Sequence, residues 1–184
     1  MEELDTKKIN AAYYDSPLGR IFITVRDGFV TGLYFEKQKY FHEENVIKQN
    51  INSGLYGKVK NWLDIYFSGE EPNFIPPLNP DGTTPFRKKV WDVLLKIPYG
   101  KTMTYGEIAR LIGAESGKNV SAQAVGGAVG HNPISIIVPC HRVIGANGNL
   151  TGYAGGIDIK IALLKRENSY SEKFYIPVKR LHTI

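Results

Sequence analysis

The sequence predicts an α+β chain in two parts. A small N-terminal α/β domain of antiparallel strands plus helices precedes a mainly helical, winged helix-turn-helix-like C-terminal domain. Three observations predict it. The first third is rich in β-branched and aromatic residues broken by turn signals. Residues 70–85 then hold five of the ten prolines. Beyond them, helix-capping signals open short segments of helical periodicity.

Taken in order, AAYYD (11–15), GRIFITVRD (19–27) and FVTGLYFE (29–36) read as strands. SPLG and DG between them are turns, because proline fixes φ and glycine tolerates positive φ. KYFHEENVIKQN (39–50) reads as a weak helix. LYGKVKNWLDIYF (55–67) is stronger, with Leu55, Val59, Trp62 and Tyr66 along one face and Gly69 as its stop. The proline-rich stretch can neither continue a helix nor pair centrally in a sheet. The expected domains are therefore 1–79, a linker at 70–85 that overlaps its end, 86–170, and a tail at 171–184.

Thr84 and Pro85 suit the N-cap and first turn of a helix whose apolar stripe is Phe86, Val90, Leu94 and Ile97. Thr104 and Glu107 have capping-box spacing, so a second helix is expected from Tyr105 to about Ile112, ended by Gly113. After AESGKN comes SAQAVGGAVG (121–130), a helix of unusually small residues. Gly126 and Gly127 each cost about 1 kcal/mol relative to alanine inside a helix. Close backbone approach to a partner would offset that, and so would tight packing within the protein; a nucleic-acid groove is one such partner.

Composition narrows the function classes. With 42% hydrophobic and 11% aromatic residues the chain is globular, and no apolar run approaches the length of a membrane span. The polar start MEELDTKKIN lacks the apolar core of a signal peptide. One cysteine makes no internal disulfide, so a cytoplasmic, reducing setting is expected. Residues 1–85 carry 9 Lys+Arg against 12 Asp+Glu, whereas 86–184 carry 14 against 6. The basic second half suits a polyanion such as DNA, although solvated lysines give the same excess.

The lone cysteine, Cys140, stands in NPISIIVPCHRVIG (132–145). One cysteine and four scattered histidines offer no closed zinc site. A buried, inert thiol is the commoner fate of such a residue. A reactive one needs a local cause for its thiolate, and His141 and Arg142 are adjacent candidates. A base beside a nucleophile also needs a third group to orient it; Glu167 in IDIKIALLKRE is available.

PCHRV (139–143), with YGEIA, AVGGAVGHNP, GYAGG and LLKRE in order and spacing, resembles the O6-alkylguanine-DNA alkyltransferases, the methylated-DNA–protein-cysteine methyltransferases. The likeness is close over about 100 residues of the second half. In the first half it rests on the strand-then-helix character and the SPLG turn. It implies a ribonuclease H-like N-terminal domain and a DNA-repair protein that acts once. That protein would flip O6-methylguanine, and O4-methylthymine, out of duplex DNA and keep the alkyl group on Cys140 as a thioether.

The resemblance also implies the roles. Cys140 is the acceptor, His141 its base through a bridging water, and Glu167 the holder of the imidazole. Asn132 orders the active-site turn, Tyr105 protonates the leaving guanine near N3, and Tyr153 walls the pocket. Tyr105, Lys118, Ala122, Gln123, Ala146 and Tyr153 are expected at the DNA, with phosphate contacts supplying most of the affinity. No cofactor or metal is expected, no membrane partner, and a monomer. Gln123 stands where many of the family have an arginine that fills the gap left by the flipped base. Two other readings use part of the same residues: a cysteine hydrolase, and a DNA- or alkylguanine-binding regulator without catalysis.

Overall fold

A computed structural model of the chain describes residues 9–36, 38 and 46–177. They form two units. The first takes the chain up to Thr83 together with Asn132–Ile137; the second takes Thr84–His131 and the chain from Val138 on.

In the first unit β1 (Ile9–Ser16), β2 (Gly19–Arg26) and β3 (Phe29–Phe35) form an antiparallel meander. Asp27 and Gly28 both have positive φ, the conformation a two-residue hairpin of matching twist requires. β4 (Val46–Lys48) pairs parallel to β1, giving the order β3-β2-β1-β4. The helix expected over 39–50 is thus corrected at 46–48, where β1 offers its edge to a Val-Ile pair; residues 39–45 lie outside the described residues. The next helix, α1 (Gly54–Ser68), buries Tyr56, Val59, Trp62, Leu63 and Tyr66 and ends at Gly69 with φ 100°. Leu55 is only half-buried, so Tyr56 rather than Leu55 heads the apolar stripe.

The proline-rich stretch is no free tether. Its backbone runs along the outer edge of β3, through Val30 N–H to Pro77 O (2.8 Å), Asn79 N–H to Val30 O (2.9 Å) and Asp81 N–H to Thr31 O (3.1 Å). Trp62 Nε1 donates to Phe74 O at 2.9 Å. Prolines suit this place because an edge segment needs few of its own donors.

The second unit opens with α2 (Pro85–Leu94), where the Thr84 hydroxyl accepts the Arg87 N–H at 3.2 Å. Val90 and Leu94 are buried, and Ile97 is buried just past the helix end. β5 (Met103–Thr104) leads into α3 (Tyr105–Ser116), and Thr104 and Glu107 form the expected reciprocal box. Gly113 does not end α3; Gly117, with φ 65°, does. A side chain at 113 would stand 2.9 Å from Lys118 O, so this glycine lets the chain fold back over the helix. α4 (Ala122–Gly130), capped by Ser121, follows. A 3-10 turn (Cys140–Arg142), β6 (Val143–Ile144), a second 3-10 turn (Ala146–Gly148) and α5 (Ile157–Arg166) complete it. Ile144, Leu150 and Leu164 form a core against which Tyr170 and Phe174 pack. From the expected tail, Tyr175 closes on the second 3-10 turn, its N–H on Gly148 O at 3.0 Å.

Candidate active site

Chain topology brings the chemistry together. β5 and β6 pair in parallel, Met103 with Val143 and Thr104 with Ile144. Tyr105 begins immediately after one strand and Cys140–Arg142 end immediately before the other. Pro139 (φ −81°, ψ 62°) sits in an inverse γ-turn closed by Cys140 N–H to Val138 O at 2.8 Å. The Cys-His-Arg run then coils as a 3-10 turn rather than extending.

His141 and Glu167 are completely buried and face each other, Nε2 to Oε1 at 2.7 Å. Arg142 clasps the same carboxylate, Nε to Oε2 at 2.8 Å and Nη2 to Oε1 at 3.1 Å, while Nη1 donates to Ile97 O at 2.6 Å. Gly100 N–H points at Oε2 from 3.4 Å, and its φ of 72° lets the turn lie there. Burial pushes the Glu167 carboxyl up, but the hydrogen bonds and charges of His141 and Arg142 outweigh it and hold it down to about 2. Burial pulls His141 below its usual range, and Arg142 and Lys160 act in the same direction against the pull of Glu167. At neutral pH the pair is therefore carboxylate and neutral imidazole. Nε2 carries the proton toward Glu167, which leaves Nδ1 as the acceptor. Nδ1 is buried and has no hydrogen-bond partner among the described residues. A buried nitrogen in that state is satisfied by a water or by a reacting proton donor.

Cys140 is buried to 5% exposure, and its charge acts on two further groups. Burial and the negative charge of the Cys140 sulfur push the Tyr105 phenol up to about 12, so it remains a proton donor. Its hydroxyl lies 3.3 Å from Thr151 O and its ring 3.9 Å from where a Gly126 side chain would begin. Lys160 is fully buried, with Nζ on Val143 O (2.6 Å), Thr151 O (3.3 Å) and Gly152 O (3.5 Å). Burial lowers it to about 8, with the Cys140 charge pulling the other way. Sequence reasoning missed Lys160 and the clasp of Arg142 on Glu167. A signal for Lys160 was present: with Leu163, Leu164 and Glu167 it falls at i, i+3, i+4 and i+7, a single helical face.

The structure brings Cys140, His141, Glu167 and Tyr105 into one cluster of the second unit. Asn132 belongs to the first unit, where its side chain accepts the Ile134 N–H (3.0 Å) and donates to Ile134 O (3.2 Å). Tyr153 is half-buried in the loop before α5. Lys118, Ala122, Gln123 and Ala146 are exposed, on the α3–α4 turn, on α4 and on the second 3-10 turn.

α4 answers one question left open by its composition. Trp91 Nε1 grips it from inside through Ala128 O at 3.0 Å, and Val125, Ala128 and Val129 are buried. On the other side, among the described residues beyond the neighbouring helix backbone, a Cβ at Gly127 would meet nothing within 4 Å and one at Gly126 only ordinary contact. Internal packing therefore does not require the two glycines.

Comparison with known proteins gives the family. Residues 85–169 match the DNA binding domain of 6-O-methylguanine DNA methyltransferase, and residues 9–80 its ribonuclease-like domain. A methylated-DNA–protein-cysteine methyltransferase of Mycobacterium bovis is 46% identical over 155 residues, 84% of this chain and 90% of that protein. This chain belongs to the 6-O-methylguanine DNA methyltransferase family. A relative of the same name from Methanosarcina acetivorans is 45% identical over 86% of this chain and 97% of its own length. The crystal structure of Mycobacterium tuberculosis O6-methylguanine methyltransferase aligns with a TM-score of 0.76 at 42% identity, covering 89% of this chain and 94% of that one. The crystal structure of Mycobacterium tuberculosis OGT in complex with DNA aligns with a TM-score of 0.76 at 43% identity, covering 87% of this chain and 93% of that one. The family's activity is DNA repair by transfer of a methyl group to a protein cysteine. Among the described residues no helix is long and apolar enough to cross a membrane, and no group of three His, Cys, Asp or Glu side chains is placed to hold a metal ion.

Proposed function

We propose that this chain repairs DNA as a monomer, moving the alkyl group of O6-alkylguanine to the sulfur of its own Cys140. The observation that carries the reading is the orientation of His141: fixed by Glu167 through Nε2, it keeps Nδ1, which has no partner among the described residues, one residue from the thiol. Nδ1 takes the thiol proton through a water, and Glu167, clasped by Arg142, stabilises the imidazolium that forms. The sulfur then attacks the alkyl carbon. An S–C bond forms, the C–O6 bond breaks, and the electron pair passes to the guanine ring. Tyr105 supplies a proton to the departing base, and its raised pKa keeps that proton in place until negative charge develops beside it.

The base must leave the duplex first. Exposed α4, with no bulk at 126 and 127, lies against the minor groove, and Gln123 occupies the gap in the stack. Lys118, Ala146 and the basic second half hold the backbone. The thioether product is a poor leaving group, so each molecule acts once. The test is intact mass after incubation with excess O6-methylguanine duplex. One added methyl per molecule, at Cys140, is expected. Turnover beyond one, or a methyl on another residue, overturns the reading. Cys140→Ala should abolish transfer and leave DNA affinity within about twofold, because phosphate contacts supply most of it.

A further inference from the structure

We infer that Gln38, in the first unit, is a positioning residue for the Cys140 reaction, acting through the strained turn that leads into the nucleophile. This rests on the alkyl-transfer reading above. The turn lies in Asn132–Ile137, the segment that leaves α4 and joins the first unit. Its backbone adds to the outer edge of β3: Leu33 N–H donates to Pro133 O at 2.7 Å and Ser135 N–H to Leu33 O at 2.9 Å. Ile136 follows with φ +69°, the left-handed region that a β-branched side chain avoids. Ile137 N–H to Ser135 O at 2.8 Å closes a γ-turn around it, and positive φ at its centre makes this the rare, strained form.

Strain of this kind persists only where the surroundings over-determine it. Gln38 supplies a fixed point. Its side-chain oxygen accepts two hydrogen bonds, from Phe35 N–H at 3.1 Å, where β3 ends, and from the Ser135 hydroxyl at 2.9 Å. Gln38 N–H closes a turn on Phe35 O at 2.9 Å, and the residue is 4% exposed. One amide oxygen thus ties the residue before the strained turn to the end of a strand. Cys140 follows Ile137 by three residues, through the relaxed γ-turn at Pro139. Without the tie the strained turn relaxes, and relaxation there reaches the sulfur along the chain. In-line attack at carbon tolerates little misplacement.

The test is single-turnover transfer from O6-methylguanine duplex at saturating DNA, on Gln38→Met, Ser135→Ala and the double variant. The positioning role predicts that Gln38→Met lowers the first-order transfer rate about 10- to 100-fold. DNA affinity should be unchanged, and the final yield should stay at one methyl per molecule. Ser135→Ala should slow transfer less, and the double variant no more than Gln38→Met alone, because both break one link. A wild-type rate in Gln38→Met overturns the inference. So does a lower yield at wild-type rate, the signature of a residue that only keeps molecules folded. If wild-type protein takes no methyl on Cys140, the alkyl-transfer reading itself fails, which is a different result.

Discussion

The relay around Glu167 and the outer face of α4 are built on opposite principles. His141, Glu167 and Lys160 are sealed from solvent, and among the described residues their polar side-chain atoms find partners except His141 Nδ1. On α4, Ala122, Ala124, Gly127 and Gly130 are open and carry little or nothing, with Gln123 the one long side chain among them. Burial shifts the pKa values that the chemistry uses; absence of bulk gives a surface whose backbone a second molecule can approach closely. Changes to the relay should therefore damage folding and chemistry together. Changes on α4 should separate DNA binding from both.

The largest effect is expected from Glu167→Gln, which keeps the shape and removes the charge that Arg142 faces. Breaking a buried ion pair from one side costs about 3–5 kcal/mol. The lower end is expected, because Arg142 retains Ile97 O and some access to water. Transfer should slow about 100-fold or more as the imidazolium loses its counter-charge. Urea unfolding and single-turnover transfer measure the two losses. Full stability with slow transfer would show that the ion pair serves the reaction alone.

Acid should reach the same residues more gently. The Glu167 carboxyl lies at about 2 in the fold against 4.5 ordinarily, roughly 3 kcal/mol by linkage. A depressed carboxyl contributes stability that is complete above pH 4.5 and lost as pH falls toward 2. His141, held below 6.5, adds a loss of the same sign that begins below pH 6.5. Unfolding free energy measured from pH 7 to 3 should fall in both windows, and Glu167→Gln should remove the lower one.

Gly127→Ala should move the two regions apart. Among the described residues no atom beyond the neighbouring helix backbone lies within 4 Å of the added methyl, so the helix gains up to about 1 kcal/mol. Duplex affinity should fall, because the methyl occupies the approach to the groove. A thermal melt and a duplex titration decide it. A stabilised variant that binds DNA as tightly as wild type would remove α4's backbone from the interface.

What the sequence revealed divides along similar lines. The box of Thr104 and Glu107, the cap at Thr84 and the stop at Gly69 are local, each decided by residues within a turn of one another. Gly113 misled because its reason is the carbonyl of Lys118, folded back over the helix. β4 was missed because three residues carry no pattern until β1 offers an edge. In the site, adjacency pointed to Cys140 and His141, and family resemblance to Glu167. The clasp of Arg142 on a residue 25 positions away has no periodicity to announce it. Buried Lys160 looked like one more helix charge, although it shares a face with Leu163 and Leu164.

Gln123 gives the smallest and most selective test. It is exposed in the first turn of α4, so its replacement should leave folding within about 0.5 kcal/mol. If it holds the gap left by a flipped base, Gln123→Ala should slow transfer on duplex DNA and hardly touch transfer on single strands. Unpairing and unstacking cost a few kcal/mol, and only the duplex meets that cost. Gln123→Arg should restore or raise duplex binding, since a cation then lies among phosphates, and affinity should fall more steeply with salt. Matched duplex and single-stranded substrates, at two salt concentrations, separate the terms. Equal slowing of Gln123→Ala on both substrates would assign this side chain to the base in its pocket. A salt slope unchanged in Gln123→Arg would place position 123 away from the phosphates, and the family's arginine would then owe its effect to shape.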